Sequence, residues 1–369
     1  MLKRIVLGAV LAGSTGVAMA QSSVTLYGVI DAGITYKNNV QGNSLVQFAD
    51  GVNWGNRWGL QGSEDLGGGY KAVFQLENGF TLGTGASSAM FGRTSAVGLS
   101  SDLGTITFGN QYDFEGDFGG MYSVSGSASI YASHIGSYDR IGGLTLPNTV
   151  KVVSNTFHGL KVGALYGFGN NAGDFHKGSS YSLGASYNMN GFSAGGGYTK
   201  IFDTTTDPYT HLGVSSFLGR TTATVDPITG EVNDTTTAMP IDSVGSLLIG
   251  TSYRFSKVKL VANFSTSKVK AFSNSATVNV YEAGFFYYFR PDFYAITGYT
   301  HSTLSGGVHW DQGAFGLQYL LSKQTSFYAN VSYLHASEGV YATEGRGYYG
   351  LPSSNRNQMS SRIAMIYRF

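Results

Sequence analysis

Short and long connections alternate along this chain between segments that are predicted to be β-strands. Asn190-Gly191 is a strong two-residue hairpin turn, and several other connections are about as short. The connections 113–147, 203–244 and 336–358 are far longer. In a soluble β-sandwich, the length of a connection is not expected to depend on whether it is odd-numbered or even-numbered along the chain. In a barrel that spans a bacterial outer membrane it is, because its turns are periplasmic and its long loops are extracellular.

The segments between these connections alternate apolar and polar residues with the period of two that indicates β-strands. In 24–36, for example, every even position is apolar or glycine. Sixteen strands are predicted, and an even number in a closed sheet returns the chain to its starting side without a bare edge. They span 24–37, 57–64, 70–82, 90–100, 104–112, 148–157, 160–170, 179–189, 191–202, 245–255, 258–269, 277–289, 292–302, 310–321, 324–335 and 359–369.

The predicted fold is therefore all-β, a 16-stranded antiparallel transmembrane β-barrel with short periplasmic turns and long extracellular loops. Sixteen strands enclose a lumen too wide for side chains to fill. We therefore expect apolar faces to point outward into lipid and polar faces to point inward around water. The aromatic run 285–289, together with Tyr367 and Phe369, stands at strand ends and is predicted to form the girdles at the membrane interfaces.

Composition agrees with a barrel of many strands. The chain has 53 glycines but only 6 prolines, which is not the signature of a disordered segment. Charged residues make up 12%, about half the usual share of 25%. Glycine within a strand more often relieves crowding or marks a bulge than binds phosphate, so these glycines do not indicate a nucleotide site.

Residues 1–20 have the three parts of a secretory signal peptide. Lys3 and Arg4 supply the positive start, 5–12 is a short apolar run, and Ala18-Met19-Ala20 is a small-residue cleavage site. The apolar run is shorter than the about 20 residues of a membrane-spanning helix. We expect the mature barrel to comprise 21–369 and to lie in the outer membrane.

Charge and residue types disfavour several other functions. Removal of Lys3 and Arg4 leaves 21 basic residues (23 − 2) against 22 acidic ones, so nucleic acid is not an expected partner. The 7 histidines show no metal-ligand spacing with a carboxylate, and no nucleophile with a base is evident, which disfavours an enzyme and predicts no cofactor. The acids of 203–244 allow calcium binding as an alternative, although a solvated polar loop is favoured.

Four segments carry a resemblance that covers essentially the whole chain. They are SVTLYGVIDAG at 23–33, RWGLQGSEDLG at 57–67, YKAVFQLE at 70–77 and VGL at 97–99, followed by alternating apolar residues before the terminal Phe369. Together and in this order they resemble the general trimeric porins of Gram-negative bacteria, specifically the β-proteobacterial branch.

The resemblance implies a homotrimer in outer-membrane lipid whose third extracellular loop, 113–147, folds inward and narrows each pore. It implies acidic residues on that loop opposite basic residues on the wall, and Phe369 as a signal for the outer-membrane assembly machinery. The acidic candidates are Asp113, Glu115 and Asp117, the basic ones are Arg57, Arg93 and Arg140, and strand parity adds Lys151.

The expected function is passive diffusion of ions and small hydrophilic solutes through this constriction. A substrate-specific channel of the same fold is the alternative, which a track of aromatic residues or saturable binding would support.

One position conflicts with simple alternation. If Val97 and Leu99 face lipid, a strand over 90–100 places Arg93 on the lipid side as well, unless a bulge lies near Thr94 or Val97 points inward.

Overall fold

The computed structural model describes residues 23–87, 89–228, 232–235, 237–347 and 351–369. The predicted signal peptide, 1–20, lies outside the described residues. Strands form most of the chain, and long alternating segments explain why. The main sheet contains β1 (Ser23–Val40), β2 (Asn43–Asp50), β3 (Arg57–Gly67), β4 (Tyr70–Gly79), β5 (Thr94–Ser100), β6 (Gly104–Tyr112), β7 (Thr145–Ser154), β8 (Leu160–Gly167), β9 (Ser180–Met189) and β10 (Phe192–Thr206).

The second half continues the same sheet beyond a long connection. A first helix, α1 (Val124–Ala128), lies between β6 and β7. The long connection after β10 contains a second helix, α2 (Pro208–Leu212), and two small hairpins made of β11 (Ser216–Phe217), β12 (Arg220–Thr221), β13 (Ala223–Val225) and β14 (Val232–Asp234). The remaining strands are β15 (Met239–Phe255), β16 (Val258–Ala271), β17 (Asn274–Arg290), β18 (Phe293–Leu304), β19 (Val308–Leu320), β20 (Thr325–Ala336) and β21 (Asn357–Arg368).

Every strand of the main sheet pairs antiparallel with its neighbours, and β1 pairs with β21 to close the barrel. β2 and β3 share one edge of β1, because the first half of β1 pairs with β3 and the second half with β2. The second barrel position is thus one strand interrupted at 51–56. The sixteen predicted strand positions are confirmed, but the prediction missed β2, whose mixed sequence shows only weak alternation.

The outer face of the barrel is apolar, as the alternation predicts. Val24, Leu26 and Ile34 of β1 are 65%, 58% and 53% exposed, while Asp31 and Thr35, at odd positions of the same strand, are fully buried inside. The tight turn at Asn190-Gly191 has positive φ at both residues, which suits a two-residue hairpin. Among the described residues, no helix is both long and apolar enough to span a bilayer.

The inner face differs from the expectation that it is polar throughout. Near the long loops, the inward residues of β15–β20 are apolar and buried, and they pack against residues of α2 and of the last long loop. Loops that fold over the barrel bury this surface, so water does not need to cover it. The cluster includes Leu212 and Val340 from the loops and Ile241, Val269, Val278, Trp310 and Leu334 from the wall.

The predicted aromatic girdle is wrong for two of its residues. Phe285, Tyr287 and Phe289 lie on the outer face and are 42%, 37% and 45% exposed. Phe286 and Tyr288 have the parity of the buried Glu282 and therefore point into the lumen. Strict alternation separates neighbouring residues of one aromatic run, because successive side chains leave a strand on opposite faces.

Candidate pore constriction

The segment between β6 and β7, residues 113–144, is called the inner loop below. It forms short helical turns at Glu115–Gly119, Gly120–Tyr122, Ile130–Ala132 and Ile135–Ser137 and the helix α1 (Val124–Ala128). α1 packs against β17, β18 and β19. Its sequence, VSGSA, contains mainly small residues, which allows the backbone to approach the wall closely.

A row of glycines accommodates the start of the inner loop. Gly163, Gly184 and Gly197 are cross-strand partners on β8, β9 and β10. A Cβ atom at Gly163 would lie 2.2 Å from Cζ of Phe114, and one at Gly184 would lie 2.3 Å from Cβ of Phe114. Glycine therefore creates the groove in which Phe114 lies, a role that fits crowding relief rather than ligand binding.

A buried ionic cluster anchors the far part of the inner loop to the wall. Nδ1 of His134 contacts Asp139, and its Nε2 lies 2.8 Å from Glu282 on β17. Asn263 and Ser265 of β16 donate to the two carboxylates. Burial alone lowers the pKa of His134, but the two carboxylates outweigh it and raise the pKa to about 10. The histidine is therefore a cation at neutral pH.

A second buried network lies where β1 meets β21. Arg362 donates to Asp31 over 3.0 Å, to Tyr328 over 2.7 Å and to Thr35 over 3.0 Å. The hydroxyl of Thr35 lies 3.0 Å from that of Tyr131 on the inner loop. Both charged side chains of the pair are fully buried. This network connects the barrel closure to the inner loop.

Two of the predicted acidic residues are engaged within the fold. Asp113 is fully buried and pairs with Arg140. Arg140 belongs to the inner loop itself, so its predicted place on the wall is wrong; the loop turns back at this residue, whose φ is 53°. Glu115 is also fully buried and accepts a bond of 2.6 Å from Ser246. Burial, and then Asp113, raise the pKa of Glu115 well above its usual value.

The third acid lies at the open face of the inner loop. Asp117 is 2.5 Å from Nζ of Lys151 on β7, and its side chain is 34% exposed. Lys151 also donates to the backbone carbonyl of Tyr112 over 2.7 Å. Asp117 and Lys151 thus form an ion pair between loop and wall at the edge of the lumen.

Arg57 and Arg93 stand on the wall and share one carboxylate. Nε of Arg57 is 3.3 Å from Glu77, and Nε of Arg93 is 2.7 Å from it. Arg93 precedes β5, which begins at Thr94, so alternation does not govern it. The predicted strand 90–100 was too long, and neither a bulge nor an inward Val97 is needed, since Val97 is 58% exposed.

Arg57, Glu77, Arg93 and Asp117 line one cleft of about 820 Å³ between the inner loop and the wall. Lys151 lines an adjoining cleft, which it shares with Tyr112 and Asp117. The aperture comprises the five charged residues of these two clefts, Arg57, Glu77, Arg93, Asp117 and Lys151. Sequence reasoning missed Glu77, although its position on the inner face of β4 follows from the same parity that nominated Lys151. It also missed the anchoring residues His134, Asp139, Glu282, Asp31 and Arg362. Across the described ranges, no three potential ligands are arranged to hold a metal ion.

The terminal Phe369 closes the barrel seam from the outside. Its backbone N–H donates to Gly28 over 3.2 Å and its carbonyl accepts from Gly28 over 3.0 Å. A Cβ atom at Gly28 would lie 2.3 Å from Cζ of Phe369, so glycine makes room for the ring. The backbone carbonyl of Arg57 also borders this position, but the ring of Phe369 lies on the outer face of the barrel and is 42% exposed.

The barrel is closed, its outer face is apolar, a loop folds into its lumen, and charged groups line the remaining cleft. These features together define a class of protein, the outer-membrane channels. A model of the Gram-negative porin family matches residues 8–339. The chain therefore belongs to the Gram-negative porin family and is an outer-membrane barrel, not an enzyme.

Individual relatives agree with this assignment. An outer membrane porin protein of Bordetella pertussis is 35% identical over 192 residues, 47% of this chain and 50% of that relative, so the match spans half of its length. Outer membrane porin protein 32 of Delftia acidovorans is 28% identical over 100% of both chains.

Solved structures share the fold at lower identity. The anion-selective porin from Comamonas acidovorans superposes with a TM-score of 0.77 at 20% identity and covers 95% of this chain and 100% of its own. A trimer form of OmpT from Vibrio cholerae gives a TM-score of 0.65 at 14% identity over 94% and 99% of the two chains.

Proposed function

We propose that this porin is a passive diffusion channel for ions and small hydrophilic solutes, with a preference for anions set at the aperture. The charge count there carries the proposal. Three basic residues, Arg57, Arg93 and Lys151, face two acidic ones, Glu77 and Asp117, which leaves a net charge of +1 (3 − 2). The anion-selective relative from Comamonas acidovorans supports the same direction.

Charges at the aperture act on every passing ion. The Debye length is about 8 Å at physiological salt, so charged groups far from the path are screened while those lining a narrow cleft are not. Restricted water also lowers the effective dielectric below that of bulk water, which strengthens Coulomb interactions. The near-neutral charge of the whole chain is therefore a poor guide to selectivity.

Reversal potentials across a planar bilayer under a KCl gradient test the proposal. The wild-type channel should favour chloride, and the double variant Arg57→Gln/Arg93→Gln should shift toward potassium because the aperture charge falls from +1 to −1. Arg290→Gln is the matched control, since Arg290 pairs with Asp292 at the rim and its side chain is 61% exposed. A cation-selective wild type, or equal shifts in both variants, would contradict the assignment.

We also propose that the chain assembles as a homotrimer and that Phe369 is the signal read by the assembly machinery. The trimer form of OmpT supports the first part. The packing of Phe369 at the seam, with its ring on the outer face of the barrel, supports the second. Deletion of Phe369 should lower the amount of heat-modifiable trimer in outer membranes and leave the conductance of the assembled channels unchanged. Normal assembly with altered conductance would refute this role.

A further inference from the structure

Three aromatic side chains form a continuous surface on the inner wall, called the aromatic shelf below. Phe286 pairs across the sheet with Ile296, and Tyr288 pairs with Tyr294. The ring centres of Tyr288 and Tyr294 are 5.3 Å apart, and those of Phe286 and Tyr294 are 6.4 Å apart. The short turn after β17 places the shelf on the periplasmic side of the inner loop. Phe286 and Tyr294 line the same cleft as the aperture.

Two cations extend over the faces of the shelf. The guanidinium of Arg254 is 4.3 Å from the ring centre of Tyr288, and Nζ of Lys259 is 5.3 Å from that of Phe286. Arg254 and Lys259 are direct cross-strand partners, so like charges lie side by side. Within the part of the chain that the structure describes, neither makes an ion pair with a carboxylate.

Another aromatic residue of the cleft repeats this chemistry. Trp54 lines the cleft together with Phe286 and Tyr294. Its ring centre is 5.9 Å from the guanidinium of Arg57 and 4.8 Å from that of Arg368. Aromatic faces with adjacent cations therefore occur at more than one place along the lining of the cleft.

Such an arrangement has a cost that a ligand would remove. Adjacent like charges without a counter-ion repel, and aromatic rings that line a water-filled lumen expose apolar area. A small molecule with a flat ring and a carboxylate satisfies both groups, because its ring packs against the shelf beside the two cations while its carboxylate accepts charge-assisted hydrogen bonds from Arg254 and Lys259.

We propose that the aromatic shelf, with Arg254 and Lys259, is a binding subsite for aromatic carboxylates. The proposal rests on the diffusion function and adds a solute class to it. Binding there is weak and saturable, since a solute must also leave for transport to continue. A simple inorganic anion uses the cations but gains nothing from the rings, so the subsite discriminates among anions rather than between anions and cations.

The experiment measures chloride current through single channels while benzoate or acetate is added on the periplasmic side. Benzoate should reduce the current in a saturable way, and acetate, which has the carboxylate without the ring, should not. In the lumen variant Phe286→Leu/Tyr288→Leu, the half-saturating benzoate concentration should rise by about tenfold, because cation–π and stacking contacts are lost.

The matched control is Phe285→Leu/Tyr287→Leu, which makes the same two changes on the lipid face of the same strand. Benzoate should block this variant as it blocks the wild type. This result would separate binding in the lumen from an effect of benzoate on the membrane. Equal effects of benzoate and acetate, or an unchanged half-saturation in the lumen variant, would overturn the subsite. The reversal potential measured in chloride alone tests the diffusion function separately. A channel that conducts selectively but is not blocked by benzoate would therefore overturn only this inference.

Discussion

The two walls that flank the inner loop use charge in different ways. On the side of β16–β18, His134 and Glu282 are paired and their side chains are 0% exposed. On the side of β3–β7, Arg57, Arg93 and Asp117 are also paired, yet their side chains remain 18%, 30% and 34% exposed. The first set is withdrawn from water and the second stays in contact with it.

We infer from this difference that one wall sets the shape of the pore and the other sets its selectivity. Charges that are buried with hydrogen-bonded partners hold the inner loop against one wall and leave little field in the lumen. Charges that border water act on passing ions. Changes to the anchoring wall should therefore alter conductance with little change in selectivity, and changes to the opposite wall should do the reverse.

Loss of Glu282 should give the largest effect. Glu282→Ala removes the acceptor of His134, of Asn263 and of the backbone N–H of Ser125, which donates over 2.5 Å. Removal of one partner from a buried ion pair costs about 3–5 kcal/mol. The inner loop should then leave the wall part of the time. Single-channel recordings should show a larger and noisier conductance, while the reversal potential stays near its wild-type value.

The control for this variant is Glu338→Ala, which removes an exposed loop carboxylate and should change neither quantity. Heat modifiability of both variants checks that the barrel folds. If Glu282→Ala folds but conducts as the wild type does, the cluster does not hold the inner loop, and the proposed division between the two walls fails on the anchoring side.

Alkaline pH should weaken the same anchor more mildly. The pKa of His134 rises from 6.5 to about 10 on folding, so its contribution to docking is complete below pH 6.5 and is lost as the pH rises through 10. Conductance noise should be flat below pH 6.5 and increase toward pH 10. The increase should be absent in His134→Gln and retained in His176→Gln, a change at an exposed loop histidine. Equal pH profiles for these two variants would exclude His134 as the source.

Much of the fold followed from the sequence because lipid imposes a strict rule on every strand. Outward residues must be apolar, so the period of two survives along the chain and the parity of the loops shows which end is which. The rule weakens where lipid does not act. β2 was missed and Arg93 was placed in a strand because these regions lie near interruptions of the sheet, where alternation carries no information.

The site was less accessible to sequence reasoning for a related reason. Parity shows that Lys151 and Glu77 point inward, but it cannot show which charges meet across the lumen. Asp113, Glu115 and Asp117 look equivalent at a spacing of two, yet the turn of the inner loop sends them to Arg140, to Ser246 and to the open cleft. Phe285 and Phe286 differ only in their parity along β17, and parity decides whether a side chain faces lipid or the lumen. A rule that places aromatic residues at strand ends does not take parity into account.

The smallest predicted effect compares two acids of one helical turn. Asp117→Asn should raise the aperture charge from +1 to +2 and release Lys151, so the chloride-to-potassium permeability ratio should rise by about twofold. A unit charge 4 Å from an ion is worth about 1 kcal/mol in water before screening by salt, which sets this modest size. Reversal potentials under a KCl gradient measure the change.

Glu115→Gln is the matched change two residues away. The side chain of Glu115 is fully buried against Ser246, and burial raises its pKa, which favours its neutral form. Glutamine can keep the hydrogen bond from Ser246, so both conductance and selectivity should match the wild type. If the permeability ratio of Glu115→Gln shifts as much as that of Asp117→Asn, the acids of the inner loop are not divided between wall and lumen. The contrast between buried and water-exposed charges would then apply to the two walls but not to the inner loop.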